Sequence, residues 1–370
     1  MITSKVSRRI SPYWMLLKRI LKRNSIRPYI SKQPKWQENG SKTFVMIVSP
    51  EFDQRIPNAS VMARLGWCHG FEKIGIPYRI VSMLELYKVL PMLPCPICWL
   101  AESDYRYLTE KNLKILQKNL HIVWVNPWFY GERDYYKYHG FPNLASRKWV
   151  RQMVLDSGPS LVFTISPTAS FEFYEQWIKK GLRLFSLPLA WDETVYPENP
   201  AYDPEYSHVS LAFVGGYWKY KARQLDRYLA PYANDLTVFG YSIWPYGKYG
   251  GLLPVSKEAS LYRQAKVSPV INEPHVETMG IDLNERVFKV LGSGGFAVTD
   301  VVPGYREWFS EGELPVPQNE DEFHEIVHFA RENVEFNHRY REAGHKAVVE
   351  RHRYSHRASE VLNILNIQVD

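Results

Sequence analysis

Short uninterrupted apolar runs, separated by segments of helical periodicity, constrain this chain more than any other feature. Thr43-Phe-Val-Met-Ile-Val-Ser49 is apolar at every interior position, as a strand must be when both faces of its sheet are covered. Residues 58–73 follow with Val61, Leu65 and Cys68 at helical spacing, Asn58 placed to cap and Gly75 to close. Residues 78–82, 96–101, 122–126 and 161–166 are further strands, with helices at 108–119 and 146–156. Residues 166–180 read as a helix stopped by Gly181, and 182–187 as a strand. Such alternation predicts an α/β fold with doubly wound parallel sheets.

The alternation is interrupted once. Residues 188–204 are rich in proline and turn formers and read as a linker. A second α/β unit begins at Val209-Ser-Leu-Ala-Phe-Val-Gly-Gly216, where a strand runs into Gly215 and Gly216 and then a helix bearing Lys219, Lys221 and Arg223. Two glycines here read either as a phosphate cradle or as a tight turn, since the full dinucleotide fingerprint has three. Strands at 236–240 and 267–271 and a helix at 257–266 follow, and 319–333 and 336–366 are helical. The predicted organisation is an N-terminal extension over 1–42, an N-terminal Rossmann-like domain over 43–190, and a linker with a C-terminal Rossmann-like domain over 191–370.

Charge separates the extension from the body. Residues 1–37 hold ten of the 46 Lys and Arg and no acid, leaving 36 basic against 39 acidic groups elsewhere, a balance of −3. A nucleic-acid groove across the domains is therefore not expected. Trp14, Leu17 and Leu21 fall on one side of a helical projection, and Lys18, Arg19 and Lys22 on another. The arm reads as a surface helix on anionic lipid or as a solvated basic arm. Its apolar run is too short to span a bilayer, and a secretory signal is not expected. The expected location is cytoplasmic, with the arm on a membrane surface. Cys95-Pro-Ile-Cys98 has redox or metal spacing, but with Cys68 the only other cysteine the plainer reading is reduced thiols. The aromatic stretch at 130–138 reads as a surface loop or as a loop over a cleft.

The richest stretch is 271–300. A strand ends at Ile271, and a polar loop brings Asn272, Glu273, His275 and Glu277 to the start of a helix carrying Glu285, Arg286 and Lys289. Leu283, Val287, Val290 and Leu291 recur at helical spacing, and Gly294-Gly295 stops the helix. A strand-end loop leading into a helix N-terminus is where open α/β sheets bind ligands. Taken singly, Arg286 could be a surface ion-pair partner, Glu285 a first-turn acid and His275 structural; clustering favours the functional reading.

Several pieces resemble GT-B glycosyltransferases of the glycosyl-transferase group 1 kind, and within these the spore-maturation glycosyltransferase-like family. Val162-Phe-Thr-Ile-Ser166 is similar to their last N-terminal strand, Leu187-Pro-Leu-Ala-Trp-Asp192 to their linker, and Ala212-Phe-Val-Gly-Gly216 to the start of their nucleotide domain. Arg286-Val-Phe-Lys-Val-Leu-Gly-Ser-Gly-Gly-Phe-Ala-Val-Thr-Asp300 resembles their donor-site helix and following strand. The resemblance implies two Rossmann-like domains facing across a cleft, the first for an acceptor, and a retaining transferase using a nucleotide-sugar donor. One departure stands out. Glu277 and Glu285 have the separation of the family's paired glutamates, but Glu285 lies nine positions before Gly294, and Lys289 stands five before it. Either Glu285 contacts the ribose from one turn earlier or Lys289 alters that contact.

The chemistry requires stabilising a departing diphosphate and binding a sugar. Arg286, Lys219 and Lys221, with the backbone of Gly215 and Gly216, suit the first task. Glu277 is placed for the sugar, with Glu285, Asn272, His275 and Lys289 around the nucleotide. No Asp-x-Asp pair suggests a metal, so no metal or other cofactor is expected. The acceptor, a glycan, lipid or protein, is not identified. Two other readings remain open at this stage: a sugar-nucleotide epimerase on the same fold, and a non-catalytic scaffold or coat protein with a degenerate transferase fold.

Overall fold

Apolar continuity translates directly into parallel strands. The computed structural model describes residues 42–50, 52–53, 58–125, 148–274, 276 and 284–368. The basic arm, the aromatic stretch at 130–138, His275 and Glu277 lie outside the described residues. The chain divides into two compact units, one of Met1–Val125, Ser146–Phe163 and Leu362–Asp370, the other of Asn126–Ala145 and Thr164–Val361.

In the first unit, β1 (Lys42–Val48) is buried from Thr43 onward. It pairs in parallel with β2 (Tyr78–Ser82) and β3 (Cys95–Ala101), so Phe44 faces both Tyr78 and Ile97. β3 pairs in parallel with β4 (His121–Val125). With β5 (Leu161–Thr164) the strand order of this unit is β2-β1-β3-β4-β5, and the short β6 (Leu184–Ser186), which follows in the chain, falls among the residues of the second unit. The order reverses direction between β1 and β3, which opens a crevice at their carboxyl ends. Helix α1 (Ala59–Lys73) begins where Asn58 Oδ1 accepts a hydrogen bond from Val61 N. Its buried face stacks Phe71 on Phe44 with ring centroids 4.0 Å apart and sets Trp67 against Phe163 at 5.2 Å. Gly75 follows at φ +86°, the left-handed conformation that glycine tolerates at a helix end. Helices α2 (Glu110–Leu116) and α3 (Lys148–Ser157) lie in the β3–β4 and β4–β5 connections. Cys95 is exposed and Cys98 buried on β3, and both are free thiols.

The second unit repeats the logic. β7 (Leu211–Val214) pairs in parallel with β8 (Leu236–Phe239), and β8 with β9 (Lys248–Tyr249). β10 (Ser268–Val270) pairs in parallel with β11 (Ala297–Thr299). A parallel bridge between Leu211 and Val267 joins the two pieces into the order β9-β8-β7-β10-β11. Here the reversal falls between β7 and β10. Leu211, Phe213, Val238, Ile271 and Val298 form a core with Leu225 and Tyr228 of α4 (Ala222–Leu229) and with Phe323 and Val327 of a later helix. Helices α5 (Val255–Gln264) and α6 (Glu285–Gly292) precede that helix, α7 (Glu320–Glu332).

Three local expectations change. The helix expected over 166–180 is a 3₁₀ segment, Thr168–Tyr174, followed by the single turn Glu175–Ile178, because Pro167 precedes it and Ser170 N closes a tight turn onto Pro167 O at 2.8 Å. The expected strand over 182–187 shortens to β6. The long C-terminal helix is two, α8 (Val334–Arg351) and α9 (Tyr354–Ile364). They part where Trp191 N bonds His352 O at 2.8 Å and Tyr354 N bonds Trp191 O at 3.2 Å, so the linker takes the backbone groups that a continuous helix would have used.

Candidate functional site

The reversal of strand order in the second unit brings the ends of β7 and β10 beside the N-terminus of α6. Asn284 caps this helix, its Oδ1 accepting from Arg286 N at 3.0 Å. The cap is itself held. Tyr305 is fully buried, accepts from Asn284 N at 3.1 Å and donates to Asn272 Oδ1 at 3.2 Å. Asn272, at the end of β10, gives its backbone N–H to Asp300 Oδ2 at 3.0 Å and its side-chain amide to Asp300 Oδ1 at 2.5 Å. A continuous chain of bonds thus runs from the end of β11 through Asn272 and Tyr305 to the cap of α6. Burial is the main reason the Asp300 carboxyl is raised to about 6.

Two cations meet the end of β7. The Arg286 guanidinium lies 4.4 Å over the Phe213 ring. Its Nη1 is buried and has no hydrogen-bond partner among the described residues. A Cβ on Gly215 would stand 2.9 Å from both Arg286 Nη2 and Phe213 Cε1, so a glycine here leaves room for the arginine stacked on that ring at the strand end. Lys221, the residue before α4, is 3 % exposed; its Nζ donates to Ile271 O at 2.7 Å and Glu273 Oε1 at 3.0 Å. Tyr220 donates to the other Glu273 oxygen. Burial first, and the Arg286 charge second, depress Lys221 to about 7. A buried guanidinium donor, unpartnered among the described residues, beside a buried lysine and a glycine-lined strand end makes an anion-binding arrangement.

Arg286, Gly215 and Asn272 are therefore brought together, with Gly216 next in the chain. Lys219 is not among them. It is exposed in the turn before α4, and Lys221 occupies the buried position instead. Glu285 and Lys289 project elsewhere: they pair at 3.2 Å, both nearly buried, with Lys289 Nζ 4.9 Å from the Tyr196 ring. Burial raises both Glu285 and Glu258, each offset in part by Lys289. Asp300 and Tyr305 were missed by sequence reasoning; an acid directly after a short apolar strand was the available signal for Asp300. Among the described residues, no group of three or more His, Cys, Asp or Glu side chains could hold a metal ion, and no helix is long and apolar enough to cross a membrane.

The family described as "Glycosyl transferase-like" matches residues 221–363, which include most of these groups. Among solved structures, trehalose-6-phosphate synthase OtsA is similar with a TM-score of 0.59 at 9% identity, over 88% of this chain and 99% of that one. Phage T4 β-glucosyltransferase, in complex with UDP and Mn2+, has a TM-score of 0.55 at 10% identity, over 88% and 100%. HepE of Anabaena, in complex with UDP and glucose, has 0.55 at 11%, over 88% and 99%. No curated protein matches by sequence. The fold is that of the GT-B glycosyltransferases, and the matched segment together with this fold supports a glycosyltransferase enzyme. The narrower spore-maturation resemblance rests on the sequence motifs alone.

Proposed function

We propose that the chain transfers a sugar from a nucleotide-sugar donor, with the donor diphosphate held where β7, β10 and α6 meet. The observation that carries this reading is the buried Arg286 donor, without a partner among the described residues, set against Gly215 and beside Lys221. As the glycosyl bond breaks, negative charge gathers on the diphosphate. Arg286 supplies a fixed positive charge and a ready hydrogen-bond donor, and Lys221 supplies a second charge once the anion raises its proton affinity. The N-terminal amides of α6 add a favourable dipole. Asp300, Asn272 and Tyr305 hold the scaffold still, so little reorganisation is needed when charge develops.

With two cations at the leaving group, transfer in this reading is independent of metal, and by resemblance it retains the anomeric configuration. Solved relatives in complex with UDP, and one with UDP and glucose, support a nucleotide sugar as the donor class. The basic arm, in the same reading, brings a cytoplasmic enzyme to an anionic membrane surface. The test is a panel of nucleotide sugars with the full chain, following donor cleavage and glycosylated product. Turnover that Arg286→Ala lowers strongly is expected; no binding or cleavage of any donor by a folded protein would overturn the assignment.

A further inference from the structure

A buried lysine keeps its charge only where its surroundings hold it there. The Lys221 side chain is 4% exposed and stands beside the Arg286 guanidinium, and burial and that neighbour both favour the neutral amine. A neutral amine offers a diphosphate no charge. Among the described residues, two acids act the other way. Asp300, after β11, acts from a distance, because both of its oxygens accept from Asn272, at 3.0 and 2.5 Å. Glu273, in the loop after β10, is in contact: its Oε1 lies 3.0 Å from Lys221 Nζ.

That contact is itself held in place. Lys221 Nζ also donates to Ile271 O at 2.7 Å, so two of the ammonium's three protons point at fixed acceptors. Tyr220, the adjacent residue, donates its hydroxyl to Glu273 Oε2 and so fixes the carboxylate. The Glu273 side chain is 32% exposed, so the acid keeps part of its hydration where the amine keeps little. A carboxylate placed this way favours the charged lysine while remaining an anion itself. The charged groups facing Lys221 are therefore Arg286 from α6, Asp300 from the end of β11 and Glu273 from the loop after β10, with Tyr220 behind Glu273.

We propose that Glu273 is a positioning residue for the diphosphate site: it holds Lys221 ionised and fixed at the end of β10, and Tyr220 holds Glu273. That the arriving anion is a donor diphosphate rests on the transferase reading above; the hold of Glu273 on Lys221 does not.

Glu273→Gln in the full chain removes the charge and keeps the shape. The first measurement needs no nucleotide: urea unfolding between about pH 6 and 7. In the parent Lys221 is held at about 7, so folded and unfolded chains both largely keep its proton there and it adds little slope. Without the carboxylate the folded lysine gives up its proton at lower pH while the unfolded one keeps it. Stability should then rise with pH more steeply than in the parent, by up to about tenfold in the folding constant per pH unit. The excess slope should vanish when both proteins also carry Lys221→Met. The second measurement is calorimetry near pH 7 with uridine, guanosine, cytidine and adenosine diphosphates. Affinity for whichever binds should fall about tenfold, and proton uptake on binding should increase, because a lysine that starts neutral has to be charged. A merely structural loss would weaken binding and leave the uptake as it was. Tyr220→Phe, which only loosens the carboxylate, should shift slope and uptake in the same direction by less, and it serves where the first variant does not fold. No excess slope, unchanged uptake, or tighter binding by the variant would each overturn the proposal. Excess slope in a chain that binds none of the diphosphates would uphold the hold on Lys221 and defeat the transferase reading instead.

Discussion

Arg286 Nη2 occupies space that a Cβ on Gly215 would enter, at 2.9 Å. The glycine and the arginine are 71 positions apart in sequence, yet each sets the other's place.

The first prediction follows from that relationship. Arg286→Ala should lower turnover by roughly 10²-fold or more, the scale of losing a charge-stabilising group in a water-poor site. Gly215→Ala should act more gently. The guanidinium is the far end of a flexible side chain and can swing away, but the new methyl would also stand 2.9 Å from Cε1 of the buried Phe213 ring, so stability should fall by about 1–3 kcal/mol while nucleotide affinity falls on the order of tenfold. Calorimetry and thermal melts on both variants check this. An alanine at 215 that leaves affinity intact would separate the glycine from the site.

Lys221 supplies a pH dependence. Its ammonium is held at about 7 by burial and by Arg286, with Asp300 working in the opposite direction and Glu273 paired to it. At pH 8 the free lysine is mostly neutral, and an arriving diphosphate favours the charged form. Binding should therefore take up a proton, and affinity should fall as pH rises from 7 to 9, above the phosphate's own ionisation near ~6. Folding runs the other way: the unfolded lysine binds its proton more tightly, so this residue's contribution to stability grows as pH rises from about 7 to its ordinary value of 10.5. Calorimetry in buffers of different ionisation enthalpy measures the uptake, which Lys221→Met should abolish.

Tyr305 is the hinge of the supporting chain of bonds. Tyr305→Phe leaves Asn284 N and Asn272 Oδ1 without their partner in a buried setting, a cost of about 1–3 kcal/mol. Stability should drop by that amount, and nucleotide affinity should weaken because the cap of α6 is no longer held. A destabilised variant with parental affinity would show that the chain supports the fold and not the site.

The fold was legible because both-face burial demands continuous apolar strands, and the glycines at 75, 181 and 294 mark ends that the structure confirms at positive φ. Arg286 was legible from its place in the first turn after a strand-end loop. The choice between Lys219 and Lys221 was not, because two residues along a turn reverse a side chain's direction, and only the start of α4 at Ala222 decides which is buried. Nor was Asp300, whose bond to Asn272 depends on the register that sets Val270 opposite Thr299. The Glu285–Lys289 pair has i,i+4 spacing and could have been read as such.

That pair gives a separate test of the ribose assignment. Glu285→Ala removes the carboxylate paired with Lys289 and leaves Glu258 as its other nearby acid, so the protein should be destabilised by at most about 3–5 kcal/mol. Adding Lys289→Met should recover much of the stability. If donor affinity returns with it, the role of Glu285 is structural; if affinity stays low in the restored fold, Glu285 contacts the donor.

The last prediction concerns residues 1–37. Ten cations without an acid attract an anionic surface by about 1 kcal/mol for each residue close to it. Trp14, Leu17 and Leu21 offer apolar burial at the interface. The remainder of the chain, at −3, is weakly repelled, so binding should depend wholly on the arm. The full chain should co-sediment with vesicles rich in phosphatidylserine at low salt, and a 38–370 truncation should remain in the supernatant. Raising salt should release the full chain, since screening shortens to about 8 Å at physiological ionic strength. Neutral vesicles should bind it weakly, because the apolar face alone is short. Equal sedimentation of both proteins, or none of either, would overturn the membrane reading and direct the search for an acceptor to solution.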